Sequence, residues 1–226
     1  QRHGHAWLTS RLGAGLGAIL ADDMGLGKTV QILSAVAALR ASGASVGPVL
    51  VVAPTSVVGV WAEQAAKFTP FLRVRCIVET AARRGTTIAS QVQDCDIVVT
   101  SYTLARLEAD QWSGVALAGV VIDEAQAVKN PRTATYRALR DMDAPWRLAV
   151  SGTPIENSLG DLWSLLSLTC PGLLPGWDTF TQKVRRPIEG GDVAMAARLT
   201  SYVAPFILRR TKEEVATDLP DKIVDV

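Results

Sequence analysis

The 226-residue chain is 48% hydrophobic and 20% charged, enough apolar material for a substantial buried core and too little charge for a disordered chain. Its 23 Lys and Arg residues against 22 Asp and Glu leave a formal charge of +1, which excludes a global basic signature, so any nucleic-acid contact must be local. No apolar run reaches bilayer length, the N-terminus lacks a signal-peptide pattern, and Cys76, Cys95 and Cys170 lack the paired spacing of a zinc site, so a soluble intracellular protein with reduced thiols is expected.

The first element read from the pattern is an apolar strand at Ala18, running into a Gly-rich turn and then a helix over 30–40. A small Gly/Ser loop over 41–48 leads to an apolar run at 49–53, stopped by Pro54 and followed by a helical pattern over 57–68. Strand-like runs at 74–78 and 97–100 are accompanied by helices predicted over 81–93 and 103–109, and further apolar strands follow at 120–123 and 146–151. Continuously apolar strands separated by helix-length segments predict an α/β fold with a mainly parallel sheet, helices on both faces and right-handed crossovers. From Ser158 the pattern turns helical, over 159–168, 177–184 and 193–203. Pro171, Pro175 and Pro187, with Gly190 and Gly191, are expected to break this part into a compact protrusion of two or three helices.

Two segments carry chemistry. Gly25 and Gly27 lack Cβ atoms, so the backbone after the first strand can turn sharply and aim successive N–H groups at a polyphosphate. Lys28 and Thr29 follow at the mouth of the helix, where the helix dipole also favours anions. Asp22 stands where the G-x-x-x-x-G-K-[ST] pattern has its first glycine, which weakens the loop as a signal by itself. In the second segment Val120, Val121 and Ile122 run into Asp123 and Glu124, where an α/β sheet presents carboxylates to a ligand. Asp123 suits a Mg²⁺ shell, and Glu124 suits polarisation of the water that attacks a γ-phosphate. The expected ligand is a nucleoside triphosphate with Mg²⁺; a Gly-rich helix cap and a solvated acidic turn are the plainer alternatives.

Ordered blocks add to this pair: Gln1, Gly4, Trp7 and Leu8; Asp22 through Gln31; Ala53, Pro54, Thr55 and Ser56; Thr100, Ser101 and Tyr102; Asp123, Glu124, Ala125 and Gln126 with Lys129, Asn130 and Pro131; Ser151, Gly152, Thr153 and Pro154 with Glu156 and Asn157; and Leu208, Arg209, Arg210, Thr211 and Lys212. In this order they resemble the N-terminal RecA-like lobe of the Swi/Snf-type DNA-dependent ATPases. That branch of the superfamily-two helicase-like motors includes chromatin remodellers and bacterial relatives, and typically has Asp at the first loop position.

The resemblance implies a RecA-like P-loop NTPase lobe over 1–157, a helical protrusion over 158–205, and a return segment over 206–226 leading to a second RecA-like lobe outside these residues. It implies ATP held by Gln1 on the adenine side and by Asp23, Met24, Gly25, Leu26, Gly27, Lys28, Thr29 and Val30, with Mg²⁺ at Thr29 and Asp123. Lys28, Asp123, Glu124 and Gln126 would serve hydrolysis, while Ser151, Gly152 and Thr153 would couple the nucleotide to the DNA side. Thr55, Ser56, Ser101, Tyr102, Lys129 and Asn130 would contact double-stranded DNA through its phosphates, although the hydroxyls among them equally suit helix caps. Arg209 and Arg210 would set the geometry between lobes; Trp7, Trp61, Trp146 and Trp163 read as core anchors. The location implied is the bacterial cytoplasm, associated with the nucleoid, or the eukaryotic nucleus, with no membrane partner. Two alternatives stand beside this reading: a DEAD-box-like RNA helicase lobe, disfavoured by Gln126 and the run from Ser151 to Pro154, and a nucleotide-gated domain that binds without hydrolysing, disfavoured by the intact Lys28, Thr29, Asp123 and Glu124.

Overall fold

The computed structural model describes residues 1–43, 47–152 and 158–215. The chain opens with α1 (Arg2–Gly13), a helix that the apolar pattern does not announce, because its buried stripe is only Gly4, Leu8 and Leu12. There follow β1 (Ala18–Leu20), α2 (Lys28–Ala41), β2 (Val49–Ala53), a 3₁₀ turn (Thr55–Val57) running into α3 (Val58–Phe68), and β3 (Val74–Ile77). Next come the short helices α4 (Ala81–Arg84) and α5 (Ile88–Val92), then β4 (Ile97–Ser101), α6 (Tyr102–Leu107) and α7 (Ala109–Trp112). The sheet domain continues with β5 (Gly119–Ile122), a 3₁₀ turn (Ala125–Val128), α8 (Ala134–Asp141) and β6 (Arg147–Val150).

All pairings are parallel, in the order β3-β4-β2-β5-β6-β1-β7, where β7 is the short strand Ile207–Leu208 on the edge beside β1. The alternation of side chains along each strand builds two cores. Ile19, Leu50, Val52, Val98, Val120, Ile122 and Ala149 face one side, covered by α5 to α8 and the helical protrusion. Leu20, Val51, Val99, Val121, Leu148 and Val150 face the other, covered by α1, α2 and α3. Burial on both faces is why the strands read as unbroken apolar runs.

Three expectations are corrected. The helix predicted over 81–93 is two short ones, because Gly85 is left-handed at φ +69° and the Thr87 hydroxyl starts a new helix by accepting from Ser90 N–H at 3.3 Å. Pro187 does not break the protrusion: α10 (Trp177–Phe180) passes through a π turn (Thr181–Arg185) into α11 (Arg186–Glu189), with Pro187 near the start of α11, and the stop comes at Gly190 and Gly191. The return segment, expected only as an exit, contributes β7. The rest of the protrusion follows the pattern, with α9 (Leu159–Thr169) and α12 (Val193–Val203) at their expected places, and α13 (Lys212–Val215) closes the described part. Of the expected core tryptophans, Trp61 and Trp146 are buried. Trp7 and Trp163 are half-buried, Trp163 packing edge-on against Trp177 at 5.1 Å between ring centroids.

Candidate functional site

The C-terminal ends of β1, β2, β4, β5 and β6 point to one edge of the sheet, and the sequence-predicted residues gather there. After β1 the chain turns through Gly25 (φ +88°) and Gly27 (φ +77°), left-handed positions that a side chain would strain. Gly27 caps α2, which starts at Lys28, two residues before the expected helix start. A Cβ on Gly27 would lie 2.5 Å from Gln1 Nε2, so the Gln1 side chain packs against the loop. Lys28 Nζ donates to the carbonyls of Asp22 (2.7 Å) and Asp23 (3.2 Å). Burial holds its ammonium below its ordinary pKa, opposed by the nearby charges of Glu124, Asp22, Asp123 and Asp23. Met24 is exposed; Thr29 and Val30, in the first turn of α2, are half-buried.

Asp22, the departure from the general loop pattern, has a structural role. It is 0% exposed, and the guanidinium of Arg210 forks onto it, with Nε 3.0 Å from Oδ1 and Nη2 bonded to Oδ2. Arg210 Nη2 also donates to Gln31 Oε1 at 2.7 Å, and Gln31 Nε2 donates to Leu26 O at 3.0 Å. The charge of Arg210 is therefore committed inside this domain, to the first residue of the loop. A side chain on Gly4 would overlap Gln31 and Arg210, which explains a glycine inside α1.

Asp123 follows β5 and is 9% exposed. Its Oδ2 accepts from Trp61 Nε1 at 2.8 Å and its Oδ1 from Glu124 N–H at 3.0 Å. Burial raises its carboxyl above the usual range, opposed by the Trp61 bond. Among the described residues Glu124 is the one non-glycine at positive φ, +51°, a conformation that concentrates at functional sites. Gln126 Nε2 donates to Glu124 Oε2 at 2.7 Å and Ser151 Oγ donates to Gln126 Oε1 at 3.3 Å, a chain of bonds from the end of β6 to the acidic turn. Gly152 packs against Met24, with Lys28 Nζ 3.5 Å from where its Cβ would be, while Thr153 lies outside the described residues.

The expected nucleic-acid residues divide. Thr55 and Ser56 are exposed on the 3₁₀ turn after β2. Ser101 is buried and caps α6, accepting from Leu104 N–H at 3.3 Å, and Tyr102 turns its hydroxyl inward to donate to Asp123 O at 2.6 Å. Both hydroxyls are engaged within the fold, that of Ser101 as an acceptor and that of Tyr102 as a donor. Lys129 pairs with Asp161 at 3.1 Å across to α9, and Asn130 Oδ1 accepts from Arg132 N–H at 3.0 Å in a local turn; both remain exposed.

Sequence reasoning also missed Trp61, which it took for core alone. A buried indole requires an N–H partner, but nothing local names which one. For a hard divalent cation such as Mg²⁺, the Asp123 carboxylate and Thr29 hydroxyl supply the oxygen chemistry required, beside the left-handed glycines of the loop.

A family profile described as the SNF2-related domain matches residues 1–226. YwqA of Bacillus subtilis is 38% identical over 226 residues, which cover 99% of this chain and 24% of that protein. The TATA-binding protein-associated factor mot1 of Schizosaccharomyces pombe is 36% identical over 248 residues, covering 99% of this chain and 13% of that protein. The chain thus spans about a quarter or less of these relatives. Among solved structures, the Sulfolobus solfataricus SWI2/SNF2 ATPase core in complex with dsDNA superposes with a TM-score of 0.86 at 38% identity, over 98% of this chain and 46% of that one. The seven-stranded parallel sheet is the RecA-like fold of that core, and the chain belongs to the SNF2-related domain family.

Proposed function

We propose that this chain is the ATP-binding lobe of a two-lobed, DNA-dependent ATPase that moves along duplex DNA. The observation that carries the reading is the convergence of the left-handed glycine loop, Lys28, and the Asp123–Glu124 turn on one edge of the sheet, with intact chemistry in each. Lys28 would leave the loop carbonyls for the β- and γ-phosphates, and Gln1 would border the adenine. Thr29 and Asp123 would hold Mg²⁺, which supplies charge neutralisation at the phosphates. Glu124 would polarise the attacking water, oriented by its bond from Gln126. The bond from Ser151 to Gln126 would carry changes at Glu124 into β6. Thr55 and Ser56, with Lys129 and Asn130, would face duplex DNA through its phosphates. The relative solved in complex with dsDNA supports that polymer as the partner. The chain covers less than half of that relative, which supports a second lobe as the source of a transition-state arginine, a group that contributes about 10³ to 10⁵ in rate.

The test uses the full-length protein with Lys28→Ala and Glu124→Gln, read by titration with a fluorescent ATP analogue and by phosphate release with duplex DNA or RNA. Lys28→Ala should lose nucleotide binding. Glu124→Gln should keep binding and lose turnover by about two orders of magnitude or more. Equal loss of binding in both variants would refute the division of roles, and stimulation by RNA instead of DNA would move the protein to the RNA helicases.

A further inference from the structure

The indole of Trp61 does more than fill the core. It is 1% exposed, among Val51, Val58 and Ala65, and its N–H donates to Asp123 Oδ2. An indole N–H is a donor only, so this contact has one polarity and favours an oxygen that stays ionised. With Glu124 N–H on Oδ1, the two bonds fix the plane of a carboxylate that could otherwise rotate about its Cβ–Cγ bond. Trp61 also stands on α3, whose lead-in is the 3₁₀ turn that exposes Thr55 and Ser56. One short rigid element therefore has an end on the surface assigned to DNA and a buried side chain on the carboxylate assigned to Mg²⁺.

We propose that Trp61 is a positioning residue for Asp123 and that α3, through it, links contact at Thr55 and Ser56 to the setting of the metal carboxylate. The link rests on the functional reading above for the identity of both ends. A displacement of α3 by about half an ångström would stretch the 2.8 Å bond toward the weak limit of a hydrogen bond, so a small shift of the helix suffices to loosen or tighten Asp123. Outer-shell partners of a metal ligand typically change metal affinity or activity by about 10- to 100-fold when removed.

The experiment is a Mg²⁺ titration of nucleotide affinity in the full-length protein, with a fluorescent ATP analogue, in the presence and absence of duplex DNA, starting from EDTA. Trp61→Phe keeps a ring in the core and deletes the N–H; replacement of the residue by benzothienylalanine keeps the full shape without the donor and serves if the phenylalanine variant misfolds. Metal-free affinity should be unchanged. The Mg²⁺ concentration for half-effect should rise about tenfold and lose its response to DNA. Asp123→Asn is the control. If Asp123→Asn shifts the Mg²⁺ midpoint and the Trp61 variants do not, the positioning role is overturned while the site stands. If neither shifts, the metal assignment of Asp123 falls and the role of Trp61 with it. Equal loss of metal-free and Mg²⁺-dependent affinity would mark packing alone and overturn the proposal, and a shifted midpoint with an intact DNA response would overturn the link through α3.

Discussion

Removing the guanidinium at position 210 should unsettle the domain more than any surface position can. Asp22 is wholly buried and Arg210 supplies both of its charge-assisted bonds, while Gln31 Nε2, at 3.4 Å from Oδ2, is too distant to replace them. Breaking a buried pair from one side leaves an uncompensated charge at a cost of about 3–5 kcal/mol. The Arg210 side chain is 15% exposed, so water can reach the gap and the lower end, about 3 kcal/mol, applies to Arg210→Ala. At about 2 °C per kcal/mol for a domain of this size, Tm should fall by about 6 °C. Arg210→Met combined with Asp22→Asn removes both charges and should recover more than half of that loss, the sign of a coupled pair. Thermal unfolding of the single and double variants by circular dichroism measures both quantities. A single variant melting with the parent protein, or a double variant worse than the sum of its parts, would refute the account of Asp22 as a buried partner of the return segment.

Two further outcomes follow from hydrogen bonds elsewhere in the fold. Tyr102→Phe deletes the hydrogen bond to Asp123 O and should lower stability by about 1 kcal/mol, with kcat falling several-fold and KM for ATP little changed as the Glu124 turn slackens; melting and steady-state kinetics separate the two effects. Burial pushes the Asp96 carboxyl up, but the backbone and side chain of Arg73 and the charge of Arg40 outweigh it and hold the carboxyl below its ordinary range. A folded pKa below the unfolded value gives stability that is present above the usual carboxylate pKa and lost as pH falls through the lowered one. The destabilisation by Asp96→Asn, about 1.5–3 kcal/mol at neutral pH, should therefore shrink below about pH 4; denaturant unfolding across that range checks the sign.

The parts of the molecule that sequence announced are those with a local physical period. Strands buried on both faces show as apolar runs, and the loop shows because glycine at Gly25 and Gly27 has a backbone cause. What stayed hidden depends on distant partners: Arg210 finds Asp22 across 188 residues and Trp61 finds Asp123 across 62, and no window along the chain contains either pair. The hydroxyls of Ser101 and Tyr102 could serve a phosphate or the fold equally well by type, and only packing assigned them to the fold. Helix α1 was silent for a different reason, since a stripe of Gly4, Leu8 and Leu12 is too thin to stand out from a mostly polar segment.

If Glu124 acts as proposed, its left-handed backbone sets selection for stability against selection for activity at one residue. An L-residue at φ +51° carries about 1–2 kcal/mol of strain that a glycine there would relieve. Under the function proposed above, in a lineage that still needs turnover this cost would be held in place by the carboxylate's work on water. Once turnover is dispensable, drift toward glycine or asparagine at this position would be rewarded by folding alone. A relative that keeps the glycine loop and Asp123 but has relaxed this residue would then be recognisable, from a single backbone angle, as a former motor retained for binding.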